Sequence, residues 1–208
     1  MLELSVKYLH VFRGERHLFR GLALSVPAQR CLQITGANGA GKTTLLRVLA
    51  GLLEPEHLEL RWRERAISPR DAGYHGELAY LGHEAALKAD LTGLENIRFA
   101  VGLRSALGPA ALAAAIARVG AQKFADRLVR TLSAGQKRRI ALASLLLSSS
   151  SLWLLDEPAT NLDAAGQTLI GELIGEQLAR GGTVIAATHQ DLGLAATARI
   201  AFELGAGT

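Results

Sequence analysis

A single cysteine, Cys31, is all that the 208 residues contain. One thiol cannot close an intramolecular disulfide, which excludes a disulfide-stapled scaffold and suits a reducing compartment. Cys31 falls in an apolar run just ahead of a glycine-rich loop, where a buried strand cysteine is expected rather than a reactive thiol. Long hydrophobic runs are missing as well. The most apolar stretch, residues 140–155, is shorter than the ~20 residues a spanning helix needs, and four serines at 148–151 interrupt it. The opening residues Met1-Leu2-Glu3-Leu4-Ser5-Val6-Lys7 lack the basic start and apolar core of a signal peptide. No segment is therefore expected to cross a membrane. Internal repeats and low-complexity linkers are absent too. The net charge is only +4, and the basic residues are scattered apart from Lys137-Arg138-Arg139, so no nucleic-acid partner is expected.

What is present is a composition of 49% hydrophobic and 20% charged residues, enough for one folded domain with a sizeable core. Residues 2–8 and 18–26 read as short β segments separated by Arg13-Gly14-Glu15. Residues 30–35 form a compact apolar strand, followed by a glycine-rich loop and a helix through Ala50. Residues 58–62 and 78–81 fit strands, residues 92–147 read as helix without a convincing strand, and residues 152–155 return to a buried strand. A helix over 163–179 and a strand over 183–187 complete the pattern, with nothing expected beyond. Strand–helix–strand alternation at both ends implies parallel strands joined by crossover helices, with the helical block inserted between.

Gly36-Ala37-Asn38-Gly39-Ala40-Gly41-Lys42-Thr43 matches the phosphate-binding loop pattern, between a strand and a helix as that motif requires. Glycines let successive backbone N–H groups turn toward phosphate oxygens, and the helix start adds its positive end. Lys42 is expected to neutralise the β- and γ-phosphates of ATP, and the Thr43 hydroxyl to hold Mg²⁺, with Thr44 next in the same turn. Leu152-Trp153-Leu154-Leu155-Asp156-Glu157 then sets two acids at the end of an apolar strand, where parallel sheets gather ligand chemistry. Asp156 suits Mg²⁺. Glu157 is left free as general base for the attacking water.

Leu132-Ser133-Ala134-Gly135-Gln136 opens a helix on Ser133 as N-cap, and taken alone it is just a capped helix. Its place between the phosphate loop and the acid pair makes the chain resemble the ABC ATPases, whose signature reads Leu-Ser-Gly-Gly-Gln. Asn161-Leu162-Asp163 resembles their D-loop and Thr188-His189-Gln190 their H-loop. The resemblance implies an α/β fold: a P-loop NTPase (RecA-like) parallel-sheet core with an N-terminal antiparallel β subdomain and an inserted helical subdomain. The division it implies is one domain over residues 1–208, with 1–86 and 148–208 as core and β subdomain and 87–147 as the helical signature subdomain. It implies that His189 contacts the γ-phosphate. It also implies that Ser133, Gly135 and Gln136 close over ATP held by a second copy of the chain, in an ATP-sandwich dimer.

Three positions depart from the general pattern. His83 stands where many ABC ATPases carry a Gln ahead of a Leu-Thr-x-x-Glu-Asn segment; a neutral His could reach Mg²⁺ or its water, or could simply pack, and both readings stay open. Phe12 is the candidate for stacking on adenine, with Arg13 the alternative. Ala134 replaces a signature Gly. Together with Tyr80-Leu81-Gly82-His83, Lys88, Leu91-Thr92 and Glu95-Asn96, these features resemble the ATP-binding subunits of the cytochrome c maturation (haem export) systems. That family implies a peripheral subunit on the cytoplasmic face of the bacterial inner membrane. It would reach the membrane through integral membrane partners and support release of a haem-loaded periplasmic chaperone by ATP hydrolysis. The alternatives are an ATPase for another importer or exporter, and a soluble ABC ATPase outside transport. Against the latter, too few positions separate Gly41 from Ser133 for the long coiled coil of DNA-repair relatives, and translation-factor relatives carry two such domains in one chain.

Overall fold

Side chains alternate between core and solvent through the first strand: Leu4 and Val6 are buried while Lys7 is exposed. In the computed structural model, which describes residues 2–102 and 107–205, this pattern makes β1 (Leu2–Arg13) the centre of an antiparallel sheet. β1 pairs with β2 (Arg16–Pro27) on one side and β4 (His57–Trp62) on the other, and β5 (Arg65–Ile67) completes the order β2-β1-β4-β5.

The second sheet is parallel throughout. Its strands are β3 (Cys31–Thr35), β6 (Leu78–Leu81), β7 (Leu152–Asp156), β8 (Thr183–Ala187) and β9 (Arg199–Glu203), in the order β6-β7-β8-β3-β9. Every residue of β7 and β8 is buried, as helices on both faces require. Leu152, Leu154 and Ile185 face a core shared with the antiparallel sheet and α1 (Lys42–Leu49). Trp153, Leu155 and Val184 face a second core, built with α3 (Gly93–Gly102), α4 (Pro109–Arg118), α5 (Ala134–Leu146) and α6 (Ala164–Ala179). Residues 103–106 of the expected helical block lie outside the described residues.

β9 corrects the expectation that nothing follows the strand at 183–187. Its burial alternates between exposed and half-buried because it is the sheet edge, so no continuous apolar run announces it. β5 and the six-residue α2 (Ala72–Glu77) also went unforeseen, being too short for a period to register. The segment Thr92-x-x-Glu95-Asn96 has a structural role. Thr92 and Glu95 form a reciprocal cap at the start of α3, with the Thr92 N–H donating to Glu95 Oε2 at 2.7 Å. Buried Asn96 accepts from the Lys88 N–H at 2.7 Å and donates to the carbonyls of Lys88 and Thr92, pinning the loop before α3.

Candidate active site

The strand order decides which loops meet. β7, β8 and β3 are neighbours, so the chain leaving the carboxyl end of each enters one crevice. The loop after β3 brings residues 36–43 there. Gly41 precedes α1 with φ of 103°, and a Cβ on it would lie 2.6 Å from the Phe19 ring, so only glycine fits. Gly41 caps α1 without a side-chain hydrogen bond, which leaves the first-turn N–H groups available to an anion. Phe12, Asn38, Gly39, Gly41, Lys42, Thr43, Thr44, Asp156 and Glu157 all line the resulting cleft of about 480 Å³.

Lys42 curls back over its own loop. Its Nζ donates to the Gly36 carbonyl at 2.6 Å and the Ala37 carbonyl at 3.2 Å, and lies 2.9 Å from His189 Nε2. An ammonium can only donate, so Nε2 of His189 is the acceptor in this contact. The second residue beyond β8 and the residue opening α1 are thus in direct contact. Ala40 closes the loop through its N–H to the Ala37 carbonyl at 3.1 Å.

Asp156 ends β7 at 2% exposure, and its Oδ2 is buried with no hydrogen-bond partner. A carboxylate oxygen left unpaired in a buried site is costly, and a cation would relieve it. With the Thr43 hydroxyl in the same cleft, the donors are hard oxygens of the kind Mg²⁺ takes, so these residues fit that ion. Glu157 departs from the strand at φ of 45°, an uncommon conformation for a non-glycine residue, and its N–H donates to the Ala187 carbonyl at 2.8 Å.

That turn is held by a side chain the sequence reading passed over. Arg138 is 3% exposed, and its guanidinium donates to the carbonyls of Asp156 (2.9 Å), Glu157 (2.7 Å), Pro158 (2.9 Å) and Gly82 (2.6 Å). Burial pulls its pKa down to about 10, against the opposing charges of Asp156 and Glu157. One cation on α5 therefore binds the acid loop to the loop after β6. The only signal in the sequence was a basic residue falling on the inward face of a helix, since the Lys-Arg-Arg run by itself read as solvated charge.

Ser133 caps α5, accepting from the Gln136 N–H, while its own N–H donates to Gln136 Oε1 at 3.0 Å. Ser133 is exposed and, like Gly135 and Gln136, does not line the chain's own cleft. Gly135 packs where a Cβ would sit 2.6 Å from the Asn161 carbonyl oxygen, so α5 and the 161–163 turn touch backbone to backbone. Asp163 caps α6 through the Gly166 N–H at 3.0 Å and pairs with Arg139 at 2.9 Å.

His83 does not join the set. Its side chain is exposed and does not line the cleft; only its carbonyl takes part, 3.5 Å from Arg138. His83 follows β6, which lies beyond β7 at the sheet edge, farther from the phosphate loop than the acids are. Phe12 sits at the cleft edge, 44% exposed, its ring against that of His17 with centroids 3.8 Å apart and planes tilted by 38°; Arg13 lines the cleft beside it.

The ABC transporter family model matches residues 19–160. A cytochrome c biogenesis ATP-binding export protein, CcmA, of Methylococcus capsulatus is 48% identical over 91% of this chain and 92% of that relative. The protein of the same name from Vibrio cholerae is 44% identical over 91% and 92%. Among solved structures, an ABC transporter ATP-binding protein of Pyrococcus furiosus superposes with a TM-score of 0.82 at 21% identity, covering 97% of both chains. A nucleotide-free ATP-binding cassette of an ABC transporter gives 0.79 at 19% identity over 99% of this chain and 89% of that one. ATP and Mg²⁺ are the ligands of this fold in general.

Proposed function

This chain belongs to the ABC transporter family as an ATP-binding subunit, and from that premise we propose that it hydrolyses ATP to drive a cytochrome c biogenesis system that exports haem. The observation that carries the hydrolytic reading is the convergence of Lys42, the Asp156–Glu157 pair and His189 from the ends of three adjacent strands. The cargo rests on kinship with the export proteins at 44–48% identity.

Lys42, already placed over the loop carbonyls, swings to the β- and γ-phosphates of ATP, and the uncapped first turn of α1 holds the remaining phosphate charge. Thr43 and Asp156 would hold Mg²⁺, which supplies charge neutralisation at the phosphates. Glu157 accepts a proton from water as the water oxygen bonds to the γ-phosphorus. The bond to the bridging oxygen breaks, leaving ADP and phosphate. His189, its Nε2 already on the Lys42 ammonium, orients toward the γ-phosphate.

Exposed Ser133 and half-buried Gly135, at the start of α5, close over ATP held by a second copy. The chain reaches the cytoplasmic face of the bacterial inner membrane through integral membrane subunits. Among the described residues no helix is long and apolar enough to cross a membrane by itself. The loop before α3 and half-exposed Phe99, with the Lys88 ammonium 4.6 Å from its ring centre, form the contact surface for those subunits.

Two experiments test this reading. Size-exclusion chromatography of Glu157→Gln is expected to show a dimer with ATP and Mg²⁺ and a monomer without; a monomer in both refutes the sandwich. Pull-down from detergent-solubilised membranes should retrieve cytochrome c biogenesis membrane subunits. Retrieval of another transporter's subunits would reassign the cargo and leave the ATPase intact.

A further inference from the structure

Outside the nucleotide cleft, the antiparallel sheet gathers two imidazoles and a carboxylate. His10 lies on β1, His17 on β2 opposite Phe12, and Glu56 just ahead of β4. One ligand atom from each lies within 4.8 Å of the other two. The three come from separate parts of the chain and are tied by the ladder: the Glu56 N–H donates to the His10 carbonyl at 2.9 Å. The His17 ring packs against Phe12, yet its Nδ1 is buried without a hydrogen-bond partner. A buried ring nitrogen left unpaired, on a histidine with a second imidazole and a carboxylate within reach, points to a ligand set.

From this geometry we propose a second metal site, distinct from the Mg²⁺ site, in which His10, His17 and Glu56 bind a borderline divalent transition ion such as Zn²⁺. Two neutral imidazoles and one carboxylate match Zn²⁺ with a fourth position open to water, whereas Mg²⁺ prefers an all-oxygen shell. Ligand atoms around a tetrahedral ion with bonds of about 2.0–2.1 Å lie about 3.4 Å apart, so closure needs only side-chain rotation by His10 and exposed Glu56. His57 is the natural comparison. It pairs with His10 across the ladder, ring centres 6.1 Å apart, but is not part of the cluster.

The test is calorimetric titration of the intact chain with Zn²⁺ in buffer containing excess Mg²⁺, which keeps the nucleotide cleft from competing. One equivalent should bind. Glu56→Gln should weaken it at least tenfold, and because Glu56 is exposed, that variant keeps the fold. His17→Gln should weaken it further, with an unchanged melting midpoint in metal-free protein showing that the loss is of a ligand. His57→Ala should leave affinity within about twofold. The proposal is overturned if no Zn²⁺ binds, if Glu56→Gln and His17→Gln bind as the parent does, or if His57→Ala loses as much as they do.

Discussion

The two walls of the nucleotide cleft are built in different ways. The phosphate-loop wall is backbone: glycines with positive φ, an uncapped helix start, and a lysine that leans on its own loop's carbonyls. The acid wall is side chain: a buried carboxylate, an adjacent glutamate on a strained turn, and a guanidinium from another helix that binds the turn's carbonyls in place. A backbone wall can take up anions of many shapes because N–H groups merely point inward. A wall of carboxylates must hold a single water in line, so its geometry has to be imposed from outside. On the function proposed above, the first wall governs binding and the second governs turnover.

Lys42→Ala breaks the backbone wall most severely. Steady-state phosphate release should fall about 10²–10³-fold, with weaker ATP binding, because the main phosphate cation is gone. Retained binding and turnover would show that the wall needs no lysine. Arg138→Met addresses the other wall. Four carbonyls lose their donor at about 1–3 kcal/mol for each that stays unsatisfied, and partial rehydration should hold the net loss near 3 kcal/mol in urea denaturation. The displaced Glu157 should lower kcat by about 10²-fold with KM for ATP little changed. A fall in affinity without a fall in kcat would reverse the assignment of the two walls.

Gly41→Ala forces a Cβ into a φ of 103° against Phe19. The cost should be about 2 kcal/mol of stability, and here KM should rise while kcat holds. Cys31 reports on the strand beneath the phosphate loop. Burial raises its thiol to about 12, so the unfolded chain ionises first as pH rises. Its contribution is full below pH 9 and is lost from there upward, amounting to about 1 kcal/mol at pH 10. Urea midpoints of the parent and of Cys31→Ser should therefore converge as pH is raised across that interval. In native protein the thiol should resist alkylation at neutral pH.

What could be read from the chain alone follows the same division. The phosphate loop, the acid pair and the Ser133 cap are each contiguous, so their chemistry lies in adjacent letters, and the strands ahead of the first two are short and mostly apolar. β9 and β5 escaped notice because an edge strand and a three-residue strand carry no sustained period. Arg138 escaped because its partners are carbonyls on two distant loops, and a carbonyl leaves no mark in a sequence. His83 has the right position in the motif order, but motif order alone does not say which loops converge; sheet order does, and His83 follows β6 at the edge.

The most direct measurement is single-turnover hydrolysis alongside ATP binding in Glu157→Gln. Proton acceptance by Glu157 predicts ATP affinity within a few-fold of the parent and phosphate formation slower by about 10²–10⁴-fold. Hydrolysis at the parent rate, or a variant that no longer binds ATP, would contradict the account.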